Sequence, residues 1–155
     1  MNEHAASAVD TAETPEQFLT FLLGKEMFGV DILPIMEISE YRDPTVVPMI
    51  PPALRGVINL RGAVVPVVDL AQRFGRGASE ISKRSCIVIL EVNQGEERHV
   101  LGLLVDAVSE VLEIPAADIA PPPSFGAGIP RDFMHGMGEV GGGVVVLLRT
   151  DAVRA

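Results

Sequence analysis

The feature that most constrains the fold of this chain is a succession of short apolar runs separated by glycine and proline. Runs such as FLTFLL, GVINL, AVVPVVDL and CIVILEV are short and rich in valine, isoleucine and leucine. Runs of that length and β-branched composition are typical of strands, and helix-length amphipathic segments are hard to find. The sequence therefore predicts an all-β protein with short helical turns, for which 71–74 and 131–135 are candidates.

The order of these runs repeats along the chain. Gly29 aligns with Gly102 at an offset of 73 residues, and Gly56 aligns with Gly136 at an offset of 80. Matched blocks in the same order predict an internally duplicated β unit, that is, two small barrels or sheets packed together. We expect one subdomain at about 16–76 and a second at about 84–150, within a domain spanning 15–152. The polar segment 74–84 would connect them, and residues 1–14 are small and polar, which is typical of a disordered tail.

The duplication also draws attention to one arginine. GVINLRGAVVPVVDL places two strands around a turn at Arg61 and Gly62, and only the glycine has a backbone reason to be there. The second copy has Gly141 where the first has Arg61, so the fold does not require the arginine. Arg61 could be a solvated turn residue, but the comparison favours contact with another molecule.

Composition excludes several classes of partner and compartment. The net charge is −9 with a pI of about 4.7, which argues against nucleic acid and anionic membrane surfaces as partners. The single cysteine, Cys86, cannot form an internal disulfide, and no apolar run is long enough to span a membrane. We therefore expect a cytoplasmic protein with no direct membrane insertion.

The sequence offers no motif for metal or cofactor binding. The three histidines have no partners at ligand spacing, and Cys86 opens an apolar strand where an inert buried thiol is expected. GMGEVG at 136–141 matches a dinucleotide-binding pattern, but it precedes a strand rather than a helix. We accordingly predict no metal site and no cofactor.

Two carboxylates occupy equivalent places in the two copies, Glu37 in IMEI and Glu110 in SEVL. Paired carboxylates can perform acid–base catalysis if they share one cleft. Their equivalence under the repeat instead indicates a structural or surface role, so we expect no catalytic residues.

Three blocks carry a family resemblance, FGVDILPIMEI, VVPMIPPALRGVINLRGAVVPVVDL and VLGLLVDAVSEVLEI. With the proline loop and final apolar strand that follow, they resemble the CheW family of bacterial chemotaxis coupling proteins over about residues 16–150. The resemblance implies two intertwined five-stranded β-barrel-like (SH3-like) subdomains around a hydrophobic seam, without enzymatic activity or cofactor. It implies an adaptor between the cytoplasmic tip of methyl-accepting chemoreceptors and the regulatory domain of a CheA-type histidine kinase, recruited to membrane receptor arrays.

The resemblance also implies contact residues where the motifs match. Those expected to bind the receptor are Ile35, Glu37, Arg61, Ile87, Val108 and Val111. Those expected to bind the kinase are Gly56, Arg61 and Phe125. The apolar members would line a groove that accepts the apolar face of a receptor helix, although Ile87, Val108 and Val111 could equally be ordinary core.

One departure and three alternatives accompany this interpretation. Arg149 stands where family members commonly have a neutral or acidic residue, which could alter a surface contact. The chain could serve a related signalling pathway instead of chemotaxis. It could be a small-molecule-sensing β-barrel, for which an internal cavity above about 300 Å³ is expected. An enzyme using Glu37 and Glu110 would need both carboxylates in one cleft.

Overall fold

The computed structural model describes residues 16–122, 129 and 131–152, and the regular structure within them is mainly β. The strands are β1 (Glu16–Leu23), β2 (Glu26–Asp31), β3 (Ile35–Glu40), β4 (Leu54–Leu60), β5 (Ala63–Asp69), β6 (Cys86–Gln94), β7 (Glu97–Val105), β8 (Ala107–Ile114), β9 (Ile119–Ala120), β10 (Met134–Val140) and β11 (Gly143–Leu148). The helical elements are α1 (Leu70–Arg73) and the 3₁₀ turns Ala116–Asp118, Arg131–Phe133 and Thr150–Ala152. The all-β prediction is confirmed. The tail predicted at 1–14 lies outside the described residues.

The strands form two sheets that draw on both halves of the chain. One sheet has six strands in the order β8-β1-β2-β11-β10-β9, and the other has five in the order β3-β6-β7-β5-β4. The first half gives its hairpin β1–β2 to the six-stranded sheet, and the second half gives β6–β7 to the five-stranded sheet. The expected intertwining is therefore present, and the sixth strand of the larger sheet is the two-residue β9.

Each sheet closes toward a barrel through one short antiparallel contact. Thr45 and Val57 exchange backbone hydrogen bonds of 2.8 and 2.9 Å, which brings the end of the β3 segment onto β4. In the larger sheet β9 makes the corresponding contact, with Ala120 opposite Met137 on β10. These contacts turn the two sheets into barrel-like units, called below the five-stranded and six-stranded barrels.

The register of the strands carries the same duplication as the sequence. The bulge between Leu54 and Gly56 on β4 recurs between Met134 and Gly136 on β10, at the offset of 80 residues. The parallel pairing of β5 with β7 likewise recurs between β11 and β2. The repeat therefore extends to the irregularities of the strands, which apolar composition alone would not reproduce.

Three buried apolar clusters hold the barrels together. The largest, here called the seam cluster, contains residues of both sheets, whereas each of the other two lies within a single barrel. Along β6 the side chains alternate, with Ile87 and Ile89 in the barrel interior and Val88 and Leu90 in the seam cluster. Because both faces of β6 are buried, the strand has the unbroken apolar run seen in the sequence.

Candidate partner-binding site

The turn between β4 and β5 holds Arg61 in a backbone conformation that suits glycine. Arg61 has φ 50° and Gly62 has φ 87°, and the corresponding turn in the second copy has Gly141 at 57° and Gly142 at 83°. A residue with a side chain pays about 1 kcal/mol for this left-handed conformation. The five-stranded barrel therefore keeps an arginine where the backbone favours glycine, which is typical of a residue retained for its side chain.

That side chain reaches Glu37 on β3. Arg61 Nη1 lies 2.6 Å from Glu37 Oε1, with the arginine side chain 75% exposed and the glutamate 29% exposed. Exposed ion pairs stabilise a fold by at most about 1 kcal/mol, so the pair mainly orients the guanidinium. Glu110 occupies the equivalent bulge on β8, but Gly141 has no side chain to meet it. The charged pair thus distinguishes the five-stranded barrel from the six-stranded barrel.

Replacing Arg61 with glycine should change the free energy of unfolding by less than about 0.5 kcal/mol. Relief of the left-handed strain offsets the lost ion pair and the greater entropy of a glycine in the unfolded chain. Urea denaturation followed by circular dichroism measures this directly. A loss above about 1 kcal/mol would contradict the assignment of Arg61 to contacts outside the chain.

Sequence reasoning missed a set of exposed apolar side chains on the five-stranded barrel and the segments that lead into it. They are Leu33, Met36, Ile38, Val46, Met49 and Val64. Val46 and Met49 lie in the segment VVPMIPP, whose prolines prevent it from pairing as a regular strand; the apolar run between prolines was the available signal. Most of the exposed large apolar side chains of the described residues belong to this barrel and its flanking segments, which favours it as a protein-binding unit.

A tyrosine beside this surface has a perturbed pKa. Burial, and then a hydrogen bond with Asp43, raise the pKa of Tyr41 above its ordinary value of 10.0, which already leaves the phenol neutral near pH 7. Tyr41 packs partly against the interior cluster of the five-stranded barrel. It contributes packing and a neutral hydrogen-bonding group rather than charge.

The structure argues against the two alternatives of a different class. A ligand-sensing barrel needs an internal cavity. The cleft of about 750 Å³ is instead lined by the β1–β2 turn, residues 76–84 of the connector and the residues between β7 and β8, and not by the interior cluster of either barrel. Glu37 and Glu110 lie on strands of different sheets, and the Glu37 carboxylate is paired with Arg61, which disfavours a catalytic carboxylate pair. In the part of the chain that the structure describes, no cluster of histidine, cysteine or acidic residues could hold a metal ion.

Comparison with known proteins identifies the family to which this architecture belongs. The CheW-like domain family matches residues 17–154. The chain belongs to the CheW-like family. Chemotaxis protein CheW of Rhizobium meliloti is 36% identical over 137 residues, covering 88% of this chain and 86% of that protein. Chemotaxis protein CheW of Klebsiella aerogenes is 34% identical over 133 residues, covering 86% and 78%.

A solved CheW structure has the same fold. The crystal structure of the scaffolding protein TtCheW from Thermoanaerobacter tengcongensis matches with a TM-score of 0.80 and 34% identity, covering 88% of this chain and 86% of that one. The recognition from sequence is thereby confirmed, as is assignment to a non-enzymatic family. Among the described helices, none has the length and hydrophobicity needed to cross a membrane.

The predicted contact residues of this CheW-like chain fall in different environments. Ile35 on β3 and Val108 on β8 are half-buried against the seam cluster, and Val111 on β8 is 49% exposed. These three, with Glu37 and Arg61, offer surface to a partner, and the ion pair joins the two charged ones. Sequence reasoning did not predict that pair.

Other predicted contact residues offer little or no surface. Ile87 is fully buried inside the five-stranded barrel, because strand alternation turns Val88, not Ile87, toward the seam cluster, so Ile87 cannot line the groove that the resemblance implies. Gly56 is buried beneath the Thr45 carbonyl. Phe125 lies in a stretch that the structure does not describe. Arg149 is exposed and pairs with Asp151 at 3.2 Å.

Proposed function

We propose that this CheW-like chain is a cytoplasmic adaptor that binds a methyl-accepting chemoreceptor tip and the regulatory domain of a CheA-type histidine kinase simultaneously. The observation that supports it most is the Arg61–Glu37 pair, a mostly exposed guanidinium held on a strained turn beside exposed apolar side chains. The duplication shows that the fold itself requires neither the arginine nor its pairing. Through these partners the chain is recruited to receptor arrays at the membrane.

The receptor side of the proposal uses the edge strands β3 and β8. Ile35 and Val108 supply half-buried apolar surface continuous with the seam cluster, and Val111 adds exposed surface on β8. An amphipathic receptor helix would lay its apolar face on such positions. Glu37 and Arg61 would then select charged groups at the edge of the contact and set its register.

The kinase side uses the segment that closes the five-stranded barrel. Val46 and Met49 are exposed on this segment, next to the Thr45 bridge that crosses over Gly56. Gly56 would contribute indirectly, because its missing side chain leaves room for the segment around Thr45 to cross over β4. The contacts assigned to Arg61 and Phe125 on this side stay predictions.

The mechanism of such an adaptor is geometric. It holds receptor and kinase in fixed register, so that a conformational bias in the receptor changes the activity of the kinase. Coupling free energies between sites in allosteric systems are about 1–3 kcal/mol. A scaffold of this kind needs rigid contact surfaces, which the shared seam cluster provides.

Calorimetric titration against the regulatory domain of a CheA-type kinase from the same source tests the proposal. We expect saturable binding in the micromolar range, weakened about tenfold or more by Arg61→Glu. The matched control is Arg98→Glu, because Arg98 is also 75% exposed and pairs at 3.4 Å with the half-buried Glu91. The control should bind like the wild type.

The outcomes separate the parts of the proposal. Equal weakening by Arg61→Glu and the control would indicate a general charge effect and contradict a specific role for Arg61. If neither variant changes kinase binding, the adaptor function stands and Arg61 is assigned to the receptor contact. Absence of binding by the wild-type chain would contradict the proposed function.

A further inference from the structure

The polar connector between the two halves is attached to both barrels. Arg76 Nη1 lies 2.6 Å from Glu26 Oε1, and its guanidinium lies 5.4 Å from the centre of the Phe28 ring. Both partners are on β2, in the six-stranded barrel. Three residues further along, Ser79 is bound to Asp69 and Arg55 of the five-stranded barrel. A segment whose composition predicts only a connector thus joins the barrels through specific contacts.

Asp69 is the centre of the second attachment. Its carboxylate is 1% exposed and accepts hydrogen bonds from Ser79 N at 2.8 Å and Ser79 Oγ at 2.7 Å. It also accepts from Arg55 Nε and from the backbone N–H of Gln72, both at 3.2 Å. Arg55 Nη2 in turn donates to the Ser79 carbonyl, so every polar group of Ser79 is held.

The duplication shows that this buried carboxylate is not needed to build a barrel. The equivalent position in the second copy is Arg149, which is exposed at the end of β11. Burying a carboxylate is costly unless it is fully hydrogen-bonded, and half of the bonds to Asp69 come from Ser79. Asp69 therefore holds the connector in addition to Arg55 and the first turn of α1.

The attached segment forms one wall of the cleft of about 750 Å³. Connector residues, among them the exposed Ile81, line one side, and the β1–β2 turn with Asp106 and Ala107 lines the other. Ala107 directly precedes Val108, a predicted receptor contact. Gly75 and Gly77, with φ of 76° and 84°, permit sharp turns where the connector leaves α1.

We propose that residues 77–84, beyond the attachment of Arg76 to β2, form a releasable strap that Asp69 holds against the five-stranded barrel, and that Asp69 is a positioning residue for receptor binding beside the cleft. The strap opens locally when the Asp69–Ser79 contacts are lost, while both barrels stay folded. The barrels do not depend on it, because their exchanged hairpins and seam cluster already join them. The link to receptor binding rests on the proposed function, whereas release of the strap does not.

Limited trypsin digestion tests the release, because Lys83 and Arg84 lie within the strap. Ser79→Ala and Asp69→Asn should increase the rate of cleavage after these residues at least tenfold. The matched control is Ser82→Ala, whose hydroxyl oxygen accepts a hydrogen bond from Arg84 N inside the strap. The control should be cleaved at the wild-type rate, and the nicked fragments should co-elute on gel filtration.

Two results would overturn the strap. One is cleavage of both variants at the wild-type rate. The other is faster cleavage that is fully explained by a lower free energy of unfolding, as measured in urea. Ser79→Ala decides this point, because it is the milder of the two changes.

Affinity for a receptor cytoplasmic fragment tests the positioning role. Ser79→Ala should weaken that affinity at least fivefold while affinity for the kinase regulatory domain stays at the wild-type value. An open strap with unchanged receptor affinity would overturn the positioning role. A wild-type chain that binds no receptor fragment would instead contradict the proposed function and leave the digestion result to decide the strap.

Discussion

Replacing Gly56 with alanine should lower the free energy of unfolding by about 3 kcal/mol. Gly56 has φ 143°, a conformation that residues with side chains rarely adopt, and a Cβ there would collide with the Thr45 carbonyl oxygen. Pro44 Cβ also lies 3.1 Å from that position, so the new side chain has little room to move away. The substitution therefore strains the backbone and displaces the segment that closes the five-stranded barrel.

A control separates the two causes. Gly62 also has positive φ, 87°, but no heavy atom lies within 4 Å of the position that a Cβ would take there, so Gly62→Ala should cost only about 1 kcal/mol. Urea denaturation of both variants gives the comparison. Equal losses would show that backbone strain alone matters and that the closing contact over Gly56 contributes nothing. Any loss of kinase binding by Gly56→Ala would follow from the displaced segment.

Replacing Phe28 with alanine should lower the free energy of unfolding by about 4 kcal/mol and leave a single transition. Phe28 on β2 is fully buried in the seam cluster, stacked between Phe21 at 6.2 Å and Phe74 at 6.1 Å between ring centres. Phe74 continues to Phe133 at 5.6 Å, so the rings connect elements from both halves of the chain. Both barrels depend on this one core.

Thermal and urea unfolding, followed by circular dichroism at two wavelengths, measure the effect. Leu33→Ala is the control, because Leu33 is 85% exposed and its truncation should cost less than about 0.5 kcal/mol. Two separated transitions in Phe28→Ala would contradict the view that the exchanged hairpins make the barrels one cooperative unit.

Much of the fold was predictable from the sequence because it depends on local patterns. Strand length and β-branched composition predicted the β class, and the repeat predicted the duplication down to the Gly56 and Gly136 equivalence. Those two glycines are needed for the same steric reason, the close approach of a carbonyl oxygen from the closing segment. A Cβ at Gly136 would lie 2.6 Å from the Ala120 carbonyl oxygen. The intertwining came only from the family resemblance, because strand exchange leaves no local signal.

The candidate site was less predictable because it depends on contacts distant in sequence. Arg61 and Glu37 were each singled out, but their pairing requires the barrel to close β3 toward the β4–β5 turn. For Ile87 the sequence left groove and core open, and it belongs to the core because neighbouring residues of a strand buried on both faces point to different clusters. Asp69 was aligned with Arg149 by the repeat, yet its role depends on a connector that the sequence describes only as polar.

The most direct test of the central claim is the activity of a CheA-type kinase in a mixture with receptor cytoplasmic fragments and this chain. The account predicts that autophosphorylation rises at least tenfold only when all three are present. Arg61→Glu should reduce that rise, and Arg98→Glu should preserve it. Kinase activity that stays the same with and without the chain, although both partners bind it, would contradict the claim that it couples receptor to kinase.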